Sequence, residues 1–389
     1  MVYGQTAAEL SKDEAIKKTI VSKGGDIIDC VDIYKQPAFN SPLLKDHKIQ
    51  MRPTVSAREI FGSKSNASSP PPPELQQEWQ QSGSCPEGTI PILRNTRREN
   101  ATAAANFAFH PFPNGSLRVE DGSPGPHYAY AVATCTRAPY HGIAADIYVW
   151  DVFAEPDGYS ANYIAIGGSG DRHHEPPTGQ YPTDLPYEIV AGWTAYPGRF
   201  GDTLPRLFVY WTNDGGASTR CYNLDCSPGF VQTNNKVALG SYLTPPSTPG
   251  GTQTFVPVTI HIDNVEEKWW VSFALEEIGY IPAFNFPMFY EGLANVFGGL
   301  VAFTSSEFTS TQMGSGYLPS AGIGYTGLIG NYFAINSNGV RAQDPPLGKI
   351  VTQPSCYDYG DIGYLPAPGA GYYIAYGGPG GEYCDGTSP

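Results

Sequence analysis

Basic residues are scarce in this 389-residue chain. Its 23 Lys and Arg stand against 37 Asp and Glu, giving a net charge of −14, and charged residues make up only 15%. Phosphate recognition needs clustered cations, so nucleic acid is excluded as a partner. No apolar run approaches the roughly 20 residues that span a bilayer, so no membrane partner is expected. Residues 1–20 read as a polar, partly helical stretch without the apolar segment of a signal peptide. Missing too are a Cys-x-x-Cys pair, a G-x-S-x-G elbow, a phosphate loop and a dinucleotide fingerprint. Structural zinc, serine-hydrolase and nucleotide chemistry therefore lack support, and no cofactor is implied. The one His–carboxylate cluster is Asp171-Arg172-His173-His174-Glu175. Adjacent histidines on an extended chain point opposite ways, and Pro176-Pro177 makes the segment a loop, so no metal is assigned to it.

What is abundant is glycine, proline and tyrosine, at 45, 36 and 26 residues. That density of breakers leaves few long helices, and short β-branched and aromatic runs between turns suit an all-β fold. A β-like run covers residues 26–34, and further strands are expected at 145–152, 206–211, 254–262, 269–273, 300–303, 331–335 and 372–376. Within 254–262, Val256, Val258, Ile260 and Ile262 alternate with Pro257, Thr259 and His261, the period of a half-buried strand. Asn213-Asp214-Gly215 is a turn signal. No βαβ spacing appears, so an antiparallel β-sandwich preceded by a small mixed domain is expected.

The domain boundaries follow from composition. Residues 1–110 form the first unit, broken by a Pro-rich linker at 65–73 whose four prolines, Pro70 to Pro73, are expected to be extended. A short helix is expected at 74–81. Arg94, Arg97 and Arg98 followed by small residues mark a hinge or processing site, and the sandwich occupies 127–389. Seven cysteines and glycosylation sequons at Asn66, Asn100 and Asn114 suggest the secretory pathway. Localisation is expected to be secreted, extracellular or vacuolar. Cys135 has no local His partner and reads as a buried thiol.

The string GGDIIDCVDIYKQPAFNSPLLKDHKIQMRP (24–53) with SGSCPEGTIPI (82–92) resembles the neprosin activation peptide. The later strings AGWTAYPGRFGD (191–202), LFVYWTNDG (207–215), CYNLDCSPGFVQTNN (221–235), STQMGSGYLP (310–319), QPSCYDY (353–359) and YGGPGG (376–381) resemble the neprosin catalytic domain in order. The resemblance implies a secreted glutamic endopeptidase fold that cleaves after proline at acidic pH, with a propeptide covering the cleft. It also implies the pairs Cys30–Cys85, Cys221–Cys226 and Cys356–Cys384, leaving Cys135 over. Expected partners are an extended or Pro-rich peptide and the chain's own propeptide, on a monomer.

The family's two glutamates stand in Glu-Ala-Gly-Trp and Trp-Gly-Gly-Glu contexts, and here those positions are Val190 and Leu300. A carboxylate pair sharing a site is what activates water in such enzymes, because like charges hold one group protonated and the other ionised. An alkyl side chain can do neither. Glu188, of the same strand parity as Val190, is the fallback acid. Cleft-lining roles are expected for Trp193, Tyr210, Trp211, Tyr280 and Gln312, with Val190 and Leu300 side by side on the cleft floor. Three readings stay open: a catalytically impaired homologue that still binds peptides, an active peptidase with displaced acids, and a polysaccharide-binding sandwich.

Overall fold

The computed structural model describes residues 14–62, 76–94, 126–135, 138–169, 185–287, 289–303, 308–344, 346, 348–365, 371–382 and 384. The linker 65–73, Arg97, Arg98, the 171–175 cluster and the sequons at Asn66, Asn100 and Asn114 lie outside them.

The first unit builds a three-stranded antiparallel sheet in the order β1 (Ile16–Val21), β2 (Ile27–Asp32), β3 (Thr89–Leu93). Residues 16–20 are thus a strand, not the helix expected from their polar, Lys-rich composition. Pairing with β2 overrides local propensity there. The run at 26–34 is a strand as far as Asp32, whose carboxylate then caps a 3-10 turn by accepting from the Tyr34 N–H. The helix expected at 74–81 is instead a two-residue strand, Gln76–Gln77, followed by a 3-10 turn, Glu78–Gln81. The helix α1 (Ala57–Phe61) opens on a capping box between Ser56 and Glu59.

Two antiparallel sheets follow. Their main strands are β4 (His127–Thr134), β5 (Gly142–Tyr148), β6 (Tyr159–Gly168), β7 (Tyr187–Ala195), β8 (Arg206–Thr212), β9 (Phe255–Asp263), β10 (Lys268–Phe273), β11 (Glu276–Ile281), β12 (Ala294–Ala302), β13 (Gly327–Ile335), β14 (Gly348–Val351), β15 (Asp358–Tyr364) and β16 (Tyr372–Gly377). The smaller sheet runs from Cys221–Tyr222 through β8, β7, β6, β12 and β4 to β14. The larger runs from Val231–Gln232 through β11, β10, β9, β5, β13 and β16 to β15. Every strand expected above is present, most of them longer than read; β1, β3, β4, β6, β7, β11, β14 and β15 were not expected.

The inner faces meet in one large core that includes Ile164, Trp193, Val209, Trp211, Val258, Trp269 and Ile329. Three disulfides hold as the family resemblance implied, with Cα separations of 5.4 Å for Cys30–Cys85, 5.4 Å for Cys221–Cys226 and 5.8 Å for Cys356–Cys384. Cys135, half-buried at the end of β4, lies outside them.

The first unit docks on the outer face of the larger sheet. Asp263 accepts from the Thr54 N–H at 2.8 Å, the Thr54 hydroxyl at 2.9 Å and the Gln50 amide at 3.0 Å. The His47 ring meets the Tyr280 hydroxyl at 2.6 Å. Gln36 and Gln232 exchange hydrogen bonds through their backbone and amide groups, both fully buried. This docking explains one departure from the alternation read in β9. His261 and Asp263 point away from the core yet are buried, because residues 54 and 55 lie over them; Thr259, also buried, pairs with Ala144, on which Ile60 packs.

Candidate functional site: a tyrosine-floored sheet face

Side-chain alternation gives the smaller sheet a second buried face opposite the main core. It gathers Tyr128, Tyr130, Tyr159, Ala161, Tyr163, Ala165, Val190, Phe208, Tyr210, Tyr222, Val296 and Leu300. All of them are nearly or wholly buried. The tyrosines come from β4, β6, β8 and their neighbours, each at every second position, as in Tyr128-Ala129-Tyr130-Ala131.

Val190 and Leu300 are both on this face, but they are not side by side. Across β6, Val190 pairs with Ala165 and Leu300 with Ala161. The two therefore flank β6 diagonally, two strand spacings apart and offset by four residues, about 16 Å between Cα atoms at ~4.8 Å per spacing and ~3.3 Å per residue. Midway between them stands Tyr163, whose cross-strand partners are Gly192 and Gly298. The expected adjacency fails because pairing register, unlike strand parity, cannot be read from either motif alone.

Glu188 shares the face two residues from Val190, paired with Gly167 and Thr212. Its carboxyl is buried, and Oε2 has no hydrogen-bond partner. Burial holds its pKa well above the usual carboxylate range. Its field in turn adds to the burial that raises Tyr128, Tyr163 and Tyr210. Among the described residues of this face it is the only carboxyl.

Of the expected cleft-lining residues, only Tyr210 faces this side. Trp193 and Trp211 differ from Val190 and Tyr210 by an odd number of positions, so they point into the main core instead. The Trp193 indole donates to the Tyr148 carbonyl there at 2.9 Å. Tyr280 lies on the other sheet, beneath the first unit. Gln312 braces a loop, its side-chain oxygen accepting from the Phe153 N–H at 2.9 Å. The tyrosine floor itself was missed, although the Tyr-Ala alternation of β4 announces it.

The family models for neprosin and for the neprosin activation peptide match residues 157–379 and 19–123 respectively. The chain belongs to the neprosin family. Among solved structures it is similar to scytalido-glutamic peptidase with a peptide-based transition-state analogue, at 8% identity over 65% of this chain and 98% of that one, with a TM-score of 0.32. It is also similar to a toad ovary galectin in complex with thio-digalactose, at 12% identity over 46% and 96% of the two chains and a TM-score of 0.21. Likenesses this distant say nothing of what this neprosin-family chain binds. The activation-peptide match begins at Thr19 within β1 and includes β2, β3 and the docking segment 36–61, which places those contacts in the propeptide. Apart from Asp26 at the rim, paired with Arg206 at 3.0 Å, the described polar contacts of residues 14–94 with the sandwich fall away from the tyrosine face.

Proposed function

We propose that this chain is a secreted, propeptide-bearing glutamic-peptidase homologue that has lost hydrolysis and keeps its tyrosine-floored face for extended or Pro-rich peptides. The propeptide unit spans residues 1–110, and the sandwich that it accompanies, 127–389, acts as a monomer. The observation that carries the reading is Val190 and Leu300, two alkyl side chains at the positions where the family motifs have glutamate. Hydrolysis needs one carboxylate to take a proton from water while a second, protonated, polarises the scissile carbonyl. Three disulfides support export to an oxidising compartment.

Glu188 favours a second reading, an active peptidase with a displaced acid. A carboxyl held protonated can donate to a carbonyl, so it could supply one half of the pair. One assay separates the two. The purified chain is incubated with a fluorogenic Pro-rich peptide between pH 2.5 and 6, beside E188Q and the double variant V190E/L300E. No cleavage by the unmodified chain is the expected result, with none gained by the double variant, whose carboxyls would stand on Cα atoms about 16 Å apart with Tyr163 between them. Cleavage by the unmodified chain that disappears in E188Q would establish the second reading and overturn the first.

A further inference from the structure

The outer face of the larger sheet holds a polar cluster whose Asn331 and Arg341 are half-buried and whose Asp146 is buried. It is built on a bulge in β13. Ile329 and Tyr332 both point into the core, so Gly330 and Asn331 between them both face outward, and the pairing of β13 with β5 and β16 slips at this point. Asn331 sits at φ 53°, the left-handed region that only a local requirement sustains. Its side-chain oxygen accepts from Arg341 Nη2 at 2.9 Å and from the Gly371 N–H at 3.0 Å, and its side chain also hydrogen-bonds Asp146. Asp146, opposite Gly330 in the register, is 9% exposed.

Arg341 lies over the Phe333 ring at 4.1 Å, and its Nε is buried with no hydrogen-bond partner. Aromatic faces flank the cluster. Tyr373 crosses Gly330 so closely that a β-carbon there would clash with the ring. Tyr148 and Phe255 are cross-strand partners with ring centroids 5.3 Å apart. All three rings are half-buried. Such a bulge and an unusual backbone conformation are costly together unless something uses them.

The chemistry of the cluster selects among ligands. Asp146 offers an acceptor, while Arg341 and the Asn331 amide nitrogen offer donors, within one array. A phosphate or uronate would meet repulsion from Asp146, and a cation would meet repulsion from Arg341. An apolar peptide face would leave the donors and acceptors unsatisfied. Hydroxyls both give and accept hydrogen bonds, and the C–H faces of a pyranose stack on aromatic rings. We infer that the Asp146–Asn331–Arg341 cluster with Tyr148, Phe255 and Tyr373 binds a neutral oligosaccharide on the outer face of the larger sheet, independently of the tyrosine-floored face.

The test is calorimetric titration of the full chain with cellohexaose, xylohexaose and mannohexaose, beside hexagalacturonate and a Pro-rich decapeptide. The expected result at pH 8.5, where Asp146 is ionised, is binding of at least one neutral hexasaccharide that weakens about tenfold in D146N, as loss of a hydrogen bond involving a charged group would give. Binding is expected to weaken at least as much in Y373A. F255A, which removes a second flanking ring, serves in case Y373A fails to fold, and it should weaken binding by a similar factor. No measurable heat with any neutral sugar would overturn the proposal, as would undiminished binding in D146N. A response confined to hexagalacturonate or the peptide would overturn it equally.

Discussion

Replacing Glu188 with Gln isolates one proton. The carboxyl is buried on the tyrosine face, and burial raises its pKa well above 4.5. Between 4.5 and that raised value the folded chain keeps the proton, whereas the unfolded chain releases it. The group's contribution is therefore fully present below about pH 4.5 and is lost as pH rises. The slope is about 1.4 kcal/mol per pH unit for one proton. Gln has the shape of the protonated acid and no titration. The stability of E188Q relative to the unmodified protein should thus grow by about 1.4 kcal/mol between pH 5 and pH 6, and the two should nearly coincide at pH 4. Asp146, pushed up to about 7 by burial against the opposing pull of Asn331 and Arg341, gives a slope of the same sign. It lies on the other sheet and cancels in the difference. Urea unfolding followed by the fluorescence of the buried Trp193, Trp211 and Trp269 reads the sandwich directly. Parallel pH dependences for the two proteins would refute the account of Glu188 as a carboxyl kept neutral by its surroundings.

V190E adds a second carboxyl two residues from Glu188 on the same buried face, about 6.6 Å along the strand. It should destabilise the sandwich by several kcal/mol at pH 7 and much less at pH 4, because an unpaired buried charge is costly; equal destabilisation at both pH values in urea titrations would contradict this. D26N removes a charge from Arg206, which is 4% exposed and keeps Asp202 as its other partner. Docking of the propeptide should weaken by about 2 kcal/mol, roughly 30-fold, visible as faster hydrogen exchange across β2; unchanged exchange would show that the pair does not hold the unit. Removing Cys356–Cys384, which closes 28 residues, should cost about 3.5 kcal/mol, against about 2 kcal/mol for Cys221–Cys226, which closes 5. Thermal unfolding of the two double-serine variants gives the order, and the reverse order would rule out loop entropy as the cause.

The sandwich was legible because its evidence is local. Period-2 runs such as Val256 to Ile262, turn signals and the family strings each specify a strand or a bend without reference to the rest of the chain. Faces were legible only where parity was applied. Val190 and Glu188 were placed together by that rule, while Trp193 and Trp211 were put in the cleft against it. Tyr280 failed for a different reason. Its outward parity is sound, but no local signal says to which of two sheets a strand belongs. The diagonal offset of Val190 and Leu300 was beyond reach for the same reason, since register arises from pairs of strands distant in sequence. The first unit misled through composition: the Lys-rich Ile16–Val21 becomes a strand by pairing with β2, which lies close in sequence but offers nothing to helix propensity.

The same burial that makes Glu188 conspicuous limits what it can do. A glutamic peptidase needs two carboxyls in opposite states at one pH, and their mutual repulsion is what separates the two titrations. Glu188 is raised by desolvation alone. It is therefore suited to the protonated role across the acidic range and unsuited to the ionised one. On the proposed reading the missing function is the base, and its replacement would have to be a carboxylate that remains ionised nearby. Leu300 offers none, and its neighbours of the same parity, Gly298 and Ala302, offer none either. A water bound on this floor could be polarised by Glu188 but not deprotonated, while a peptide carbonyl could accept its proton as a hydrogen bond and simply stay bound. On the proposed reading, the base is lost while an acid persists, which leaves a floor that binds rather than hydrolyses.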